Sequence, residues 1–241
     1  MKSDKSRSVG SFVAEDYRAA SVFSKYGIDF CCRGGVSIEE VSAANNLDPD
    51  KLLREVEAAT SETSTAGIDF KTWELDLLTD YIEKKHHRYI LRAAPVIIQY
   101  LDKICEVHGM NHPELLQIRD EFNISISNLM SHMQKEEKIL FPYIRDMIAA
   151  AEDNSQFQKG GFSSVKSPIA VMMQEHDAEG ERFRTISRLS NNYTTPDDAC
   201  RTYQVAFSMI REFEADLHHH IHLENNILFP RAIEMEAELV A

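Results

Sequence analysis

Two stretches of the chain, 88 residues apart, carry the same spacing of histidine, glutamate and apolar residues. His132 and Glu136 are followed by Ile139-Leu140-Phe141-Pro142, and His220 and Glu224 by Ile227-Leu228-Phe229-Pro230. Upstream, His87 and His176 stand 89 residues apart, nearly the same offset. Each half therefore reads as one histidine and then a His/Glu pair four residues apart. Positions i and i+4 share a helix face. A lone pair of this kind is usually a surface ion pair. Two copies, each ahead of the same apolar tetrad, point instead into a core. Facing helix pairs would bring four imidazoles and two carboxylates together. Buried carboxylates are costly without a cation. Two histidines per metal and two bridging glutamates give each of two metals four protein ligands. An oxo or hydroxo bridge makes five, and one position stays open. That donor set suits iron, or manganese, better than a closed structural zinc site.

Some neighbours compete for these roles. His86 and His87 lie about 100° apart on a helix, so one of them is expected to face the core, and the repeat offset favours His87. In the run from His218 to His222 only His220 has a glutamate four residues on. His218, His219 and His222 are expected to face solvent or support the ligands from outside. Glu137 and Glu175 adjoin proposed ligands and read as solvated or outer partners. His108 and His112, around Gly109, read as structural.

Val, Ile and Thr nowhere alternate with polar residues for long, so the chain is expected to be all-α. Residues 1–60 read as a small helical domain. One helix is expected from Ala14 to Tyr26, stopped by Gly27. A turn carrying the vicinal Cys31-Cys32 precedes Gly34-Gly35. Ser37 and Glu40 form a capping box, and Asp48-Pro49 starts a third helix. A small, polar stretch from Ala59 to Gly67 marks a linker, taken as 61–72. Residues 73–241 hold four longer helical patterns, from Trp73 to Val107, Pro113 to Ala151, Ser167 to Asn191 and Thr195 to Glu236. These suit an antiparallel four-helix bundle. Pro95, Pro142 and Pro230 fall inside them, where kinks are expected.

Charge narrows the partners. Lys and Arg total 26 against 39 Asp and Glu, a formal charge of −13. No basic footprint for nucleic acid or for an anionic membrane is expected. Apolar runs are too short to span a bilayer. The N-terminal MKSDKSRSVGSF has no apolar stretch after its charges, so no secretory signal is expected. Four cysteines, two of them adjacent, fit a reducing cytoplasm better than a disulfide framework.

His87, His132-xxx-Glu136, His176-Asp177 and His220-xxx-Glu224 resemble the pattern of hemerythrin-like di-iron proteins. Ser131-His132-Met133 through Phe141-Pro142, Glu175-His176-Asp177, Leu223-Glu224-Asn225-Asn226 and Phe229-Pro230-Arg231 resemble, more narrowly, the Repair of Iron Centres family. Tyr26-Gly27-Ile28-Asp29-Phe30-Cys31-Cys32 is similar to that family's N-terminal signature, although Arg33 stands where a glycine usually follows. The resemblance covers nearly the whole chain. It implies a cytoplasmic stress protein with two non-haem iron ions held by His87, His132, Glu136, His176, His220 and Glu224. Its expected partners are damaged iron–sulfur proteins and small gases such as nitric oxide or oxygen. Nitric oxide chemistry of a reductase type and iron donation are both compatible with such a centre. A C2 homodimer would be unremarkable.

Cys31 and Cys32 are expected to be exposed thiols, activated by Arg33, that handle metal, electrons or nitric oxide alongside the centre. Cys105 and Cys200 read as small buried hydrophobes. The competing class is a hemerythrin-like carrier or sensor of oxygen or nitric oxide, which would use the same ligands. The N-terminal cysteine pair favours repair. Ferritin-like iron oxidation is disfavoured, because those sites place Glu and His at i, i+3. No serine sits in a nucleophile elbow.

Overall fold

The computed structural model describes residues 4–61, 68–153, 155, 157 and 161–240. Among these the chain is helical, with a single isolated bridge between Ser8 and Ser37. Four short helices come first: α1 (Val9–Glu15), α2 (Ala19–Lys25), α3 (Ile38–Ala44) and α4 (Pro49–Ser61). The helix expected from Ala14 to Tyr26 is broken in two. Asp16 leaves the helical region at φ −153°. Its carboxylate accepts the Arg18 backbone N–H at 2.9 Å, an Asx turn that competes with the helix ladder. Gly27 ends α2 at φ +65°, where a glycine is favoured. The Ser37–Glu40 capping box forms as read from the sequence. The expected linker falls partly on residues 62–67, outside the described residues. Phe70, in a 3₁₀ turn just after them, is buried beside Trp73 and Tyr81.

Long helices follow. α5 (Leu75–Tyr81) runs through a wide π turn, Ile82–His87, into α6 (Arg88–His108). α7 (Glu114–Lys135) runs through a second π turn, Glu136–Leu140, into α8 (Phe141–Glu152). α9 (Lys166–Leu189) has no such turn. α10 (Arg201–Leu223) runs through a third, Glu224–Leu228, into α11 (Phe229–Leu239). The last pattern therefore starts at Arg201, not at Thr195. Asp198 is drawn into a 3.0 Å contact with the His112 ring, and Thr195–Cys200 remains a turn. Pro95 lies within α6 without ending it. Pro142 and Pro230 open α8 and α11 directly after π turns. A proline lacks the N–H that an α-turn needs and clashes with the preceding carbonyl; the widened turn accommodates both.

The core follows from the stripes. α6 buries Ile90, Ala94, Ile97, Leu101 and Ile104, at spacings of three and four. α6 packs on α7 and α10, and α7 on α9, closing a four-helix bundle. The buried apolar residues fall into two clusters. One joins α1–α4 to the outer halves of α6, α7, α9 and α10. The other joins α5, α8 and α11 to the start of α9. The paired His/Glu residues lie on the same stripes, between the two clusters.

Phe213 sits in the first cluster, with its ring centroid 5.2 Å from that of Phe122 and 5.9 Å from that of Phe183. Phe213→Ala is predicted to cost about 3–5 kcal/mol, read as a lower urea midpoint with unchanged slope.

Candidate metal centre

Each ligand predicted from the sequence occupies a core position of its helix. On α7 the stripe runs Phe122, Ser125, Leu129, His132 and on to Glu136. On α9 it runs Ile169, Met172, His176. His87, Glu136 and Glu224 all lie in π turns, which are enriched at functional sites.

The six side chains meet as two overlapping tetrads. His87, Glu136, His220 and Glu224 form one; His132, Glu136, His176 and Glu224 form the other. Within each, one ligand atom per residue lies within 4.8 Å of the rest. Each carboxylate divides its oxygens between the tetrads. Glu136 Oε2 is 3.3 Å from His87 Nε2, and its Oε1 is 3.2 Å from His132 Nε2. Glu224 Oε1 is 3.0 Å from His220 Nε2, and its Oε2 is 3.1 Å from His176 Nε2. Each carboxylate thus presents one oxygen to each tetrad.

The donors fit a cation. Glu136 and Glu224 are 0% exposed, and both Glu136 oxygens and Glu224 Oε2 have no hydrogen-bond partner. Leaving buried carboxylates uncompensated costs on the order of several kcal/mol each. The histidines are preset as well. His87 Nδ1 pairs with Glu137 at 2.8 Å, His132 Nδ1 with Glu175 at 2.8 Å, and His176 Nδ1 with Asn225 Oδ1 at 2.9 Å. These acceptors hold the proton on Nδ1 and leave the Nε2 lone pair facing inward. His132 Nε2 and His176 Nε2 then confront each other at 3.1 Å, an arrangement that a shared cation relieves. Burial works against charging the His132 ring, but Glu136 and Glu175 outweigh it and lift its pKa to about 10. Glu175 is held down to about 2 by the hydrogen bond from His132 against its partial burial, with Lys135 assisting.

The repeat extends to these outer contacts. Glu137 and Asn225 occupy equivalent positions, each just after a shared glutamate, and each orients a histidine from the preceding long helix. Glu175 and His86 are also equivalent, but here the symmetry fails. Glu175 accepts from His132, whereas His86 stacks on His220 at 5.5 Å and leaves His220 Nδ1 buried without a partner.

Several expectations need correction. Both His86 and His87 are 0% exposed, because the π turn changes the helical phase between them. His86 Nδ1 pairs with Asp216 at 3.0 Å. His222 is buried, and His218 and His219 are only partly exposed; they meet the turn before α2 and the cysteine loop. His219 stacks on Tyr17 at 3.9 Å, and His218 and His222 meet the Phe30 ring. Cys105 is buried as expected, but Cys200 is exposed.

The cysteine loop differs most from its expectation. Asp29 Oδ1 accepts the backbone N–H groups of Cys31 at 3.1 Å and Cys32 at 2.9 Å, which folds the loop around one carboxylate. Cys31 is only 3% exposed, and its thiol is pushed up by the hydrogen bond with Cys32, by burial and by Asp29. Arg33 pairs with Glu181 at 3.1 Å. The loop instead touches the metal ligands' supports. Cys32 Sγ–H donates to the His176 carbonyl at 3.3 Å, and Asn225 Nδ2 donates to the Cys31 carbonyl at 3.1 Å. A Cβ at Gly180 would stand 3.1 Å from Cys32 Sγ, and one at Gly34 would stand 2.7 Å from Asn226 Oδ1. Small residues at these positions let the loop reach the bundle. Asp29, Asn225 and Asp216 were not singled out from the sequence. Asn225 alone had a signal, since it aligns with Glu137 in the repeat.

Residues 78–232 match the hemerythrin HHE cation binding domain family, and residues 5–60 match a Domain of Unknown function, DUF542. Fold and site together define a hemerythrin-type cation-binding protein. Over 96% of its length the chain is 33% identical to the iron-sulfur cluster repair protein YtfE of Yersinia pestis (strain Pestoides F), covering 99% of that protein. The counterpart of the same name from Yersinia pseudotuberculosis serotype O:1b (strain IP 31758) matches with the same identity and coverage. The chain belongs to the Repair of Iron Centres family.

Removing an outer acceptor frees its histidine to turn. Glu175→Ala and Asn225→Ala are each predicted to weaken metal affinity by about 10–100-fold, measured by competition with a chelator of known strength.

Proposed function

We propose that this chain is a di-iron protein that restores iron–sulfur clusters damaged by nitrosative or oxidative stress. The observation that carries the reading is the pair of tetrads sharing two buried carboxylates. His87 and His220 would hold one iron, His132 and His176 the other, with Glu136 and Glu224 between them. When bound, such a pair supplies redox chemistry and an open position for a small ligand such as nitric oxide or oxygen. The names of the relatives support damaged iron–sulfur proteins as the targets.

The chain's own residues make the two positions unequal. A cavity of about 240 Å³ reaches His132 and His176, with Lys135 and Glu175 among its walls. His87 and His220 lie behind the rings of Phe141 and His86. Small molecules would therefore approach from the His132/His176 side. The Lys135–Glu175 pair beside it keeps that approach polar and fixes the His132 ring. Cys31 and Cys32, the latter hydrogen-bonded to the backbone of His176, are proposed to pass metal or electrons between the centre and its targets. Reduced thiols suit the cytoplasm, and no helix among the described residues is long and apolar enough to cross a membrane.

Anaerobic loading with ferrous iron is expected to give two irons per chain, and the loaded protein to reactivate a cluster enzyme inactivated by nitric oxide. Glu136→Gln and Glu224→Gln should each lower iron at both positions. His87→Ala should spare the His132/His176 position. Two irons without reactivation would support a gas carrier or sensor instead. Cys31→Ser/Cys32→Ser is expected to abolish reactivation while leaving the iron content at two. Full reactivation by that variant would refute the cysteine role alone.

A further inference from the structure

A large cavity lies apart from the candidate metal centre. It encloses about 1100 Å³ between α2 with the cysteine loop on one side and α9 with α10 on the other. None of the six metal-ligand candidates lines it. In a chain of net charge −13, four guanidinium groups face this space: Arg18, Arg184, Arg188 and Arg211. Arg18 is committed to Asp16 at 2.6 Å, and Arg184 to Asp29 at 2.8 Å. Arg188 and Arg211 are exposed, and among the described residues no carboxylate pairs with either. The wall's own acids do not oppose them strongly. Asp29 is matched by Arg184, and burial raises Glu214 to about 7.

The backbone at one end of the cavity is unusual. Asn191, Asn192 and Tyr193 follow one another with φ of 48°, 54° and 58°. Left-handed backbone is costly for residues other than glycine, and it persists where a site over-determines it. This turn places Asn191 and Asn192 on the cavity wall, which Ser21 and Ser24 of α2 also line. Cys31 also lines the cavity. Guanidinium groups match carboxylates, asparagine and serine match amides, and a thiol wall accommodates a second sulfur.

We propose that this cavity binds a low-molecular-weight thiol of peptide size carrying two carboxylates. Arg188 and Arg211 take the carboxylates, the Asn191–Asn192 turn takes amide groups, and the ligand sulfur rests against Cys31. Binding is reversible and non-covalent, and no electron changes hands in it. Its consequence is local. Asp29, Cys31 and Cys32 already bring one carboxylate oxygen and two sulfurs within 4.8 Å of one another, and the ligand adds a third sulfur beside them. The inference does not rest on the di-iron reading, because the cavity and the centre share no ligand residue.

The test is calorimetric titration of the full chain, with and without iron, using reduced glutathione as the probe. Saturable binding of one molecule per chain is expected in both states. Arg188→Ala/Arg211→Ala should weaken it at least tenfold, and high salt should weaken it as well. Both arginines are exposed and unpaired, so the variant should keep the parent's circular dichroism and melting temperature. S-methylglutathione, which keeps the carboxylates and blocks the sulfur, should bind several-fold more weakly. β-Mercaptoethanol should not saturate. No saturable binding, or binding unchanged in the double arginine variant, overturns the proposal. Equal affinity for S-methylglutathione overturns the sulfur contact. Binding seen only with iron present would assign the thiol to the metal centre and overturn the cavity as its site.

Discussion

Two carboxylates, Glu136 and Glu224, stand fully buried at mid-bundle, and three of their four oxygens have no hydrogen-bond partner. The rest of the structure depends on how that charge is compensated. Four imidazoles face it, and three of them are oriented from behind by Glu137, Glu175 and Asn225. The polar layer separates two apolar clusters that would otherwise merge into one core. A well-packed hydrophobic layer of the same volume would often be as stable or more so. The cost of the layer therefore points to function rather than stability.

The N-terminal helices are tied into this layer. Cys32 reaches the backbone of His176, and the carbonyl of Cys31 shares Asn225 with the His176 ring. Asn226, on the turn that begins with Glu224, also donates to the Phe30 carbonyl at 3.3 Å. A movement of the cysteine loop would thus be felt at two ligands of the second tetrad. Among the described residues His87 and His220 have no such hydrogen bond to the loop, and His220 is backed by His86 and Asp216 instead. The two halves of the repeat share their ligands but differ in what surrounds them.

The all-α class, the bundle and the six convergent side chains were legible in the sequence. All of them rest on period and spacing, which a helix converts directly into position. What was not legible arises from local competition or distant contact. Asp16 breaks the first helix through its own side chain, and Asp198 is held by His112 far along the chain. His86 is buried by a π turn at Ile82–His87 that no proline announces, whereas the other two π turns precede Pro142 and Pro230. The burial of Cys31 was not legible, because nothing in its neighbourhood reveals Asp29 gathering the loop or α9 lying above it.

Anomalous diffraction at the iron edge from crystals grown with ferrous iron tests the central claim most directly. Two peaks are predicted between Glu136 and Glu224, one beside the Nε2 atoms of His87 and His220 and the other beside those of His132 and His176. A single peak, or iron bound anywhere other than between those carboxylates, would contradict it.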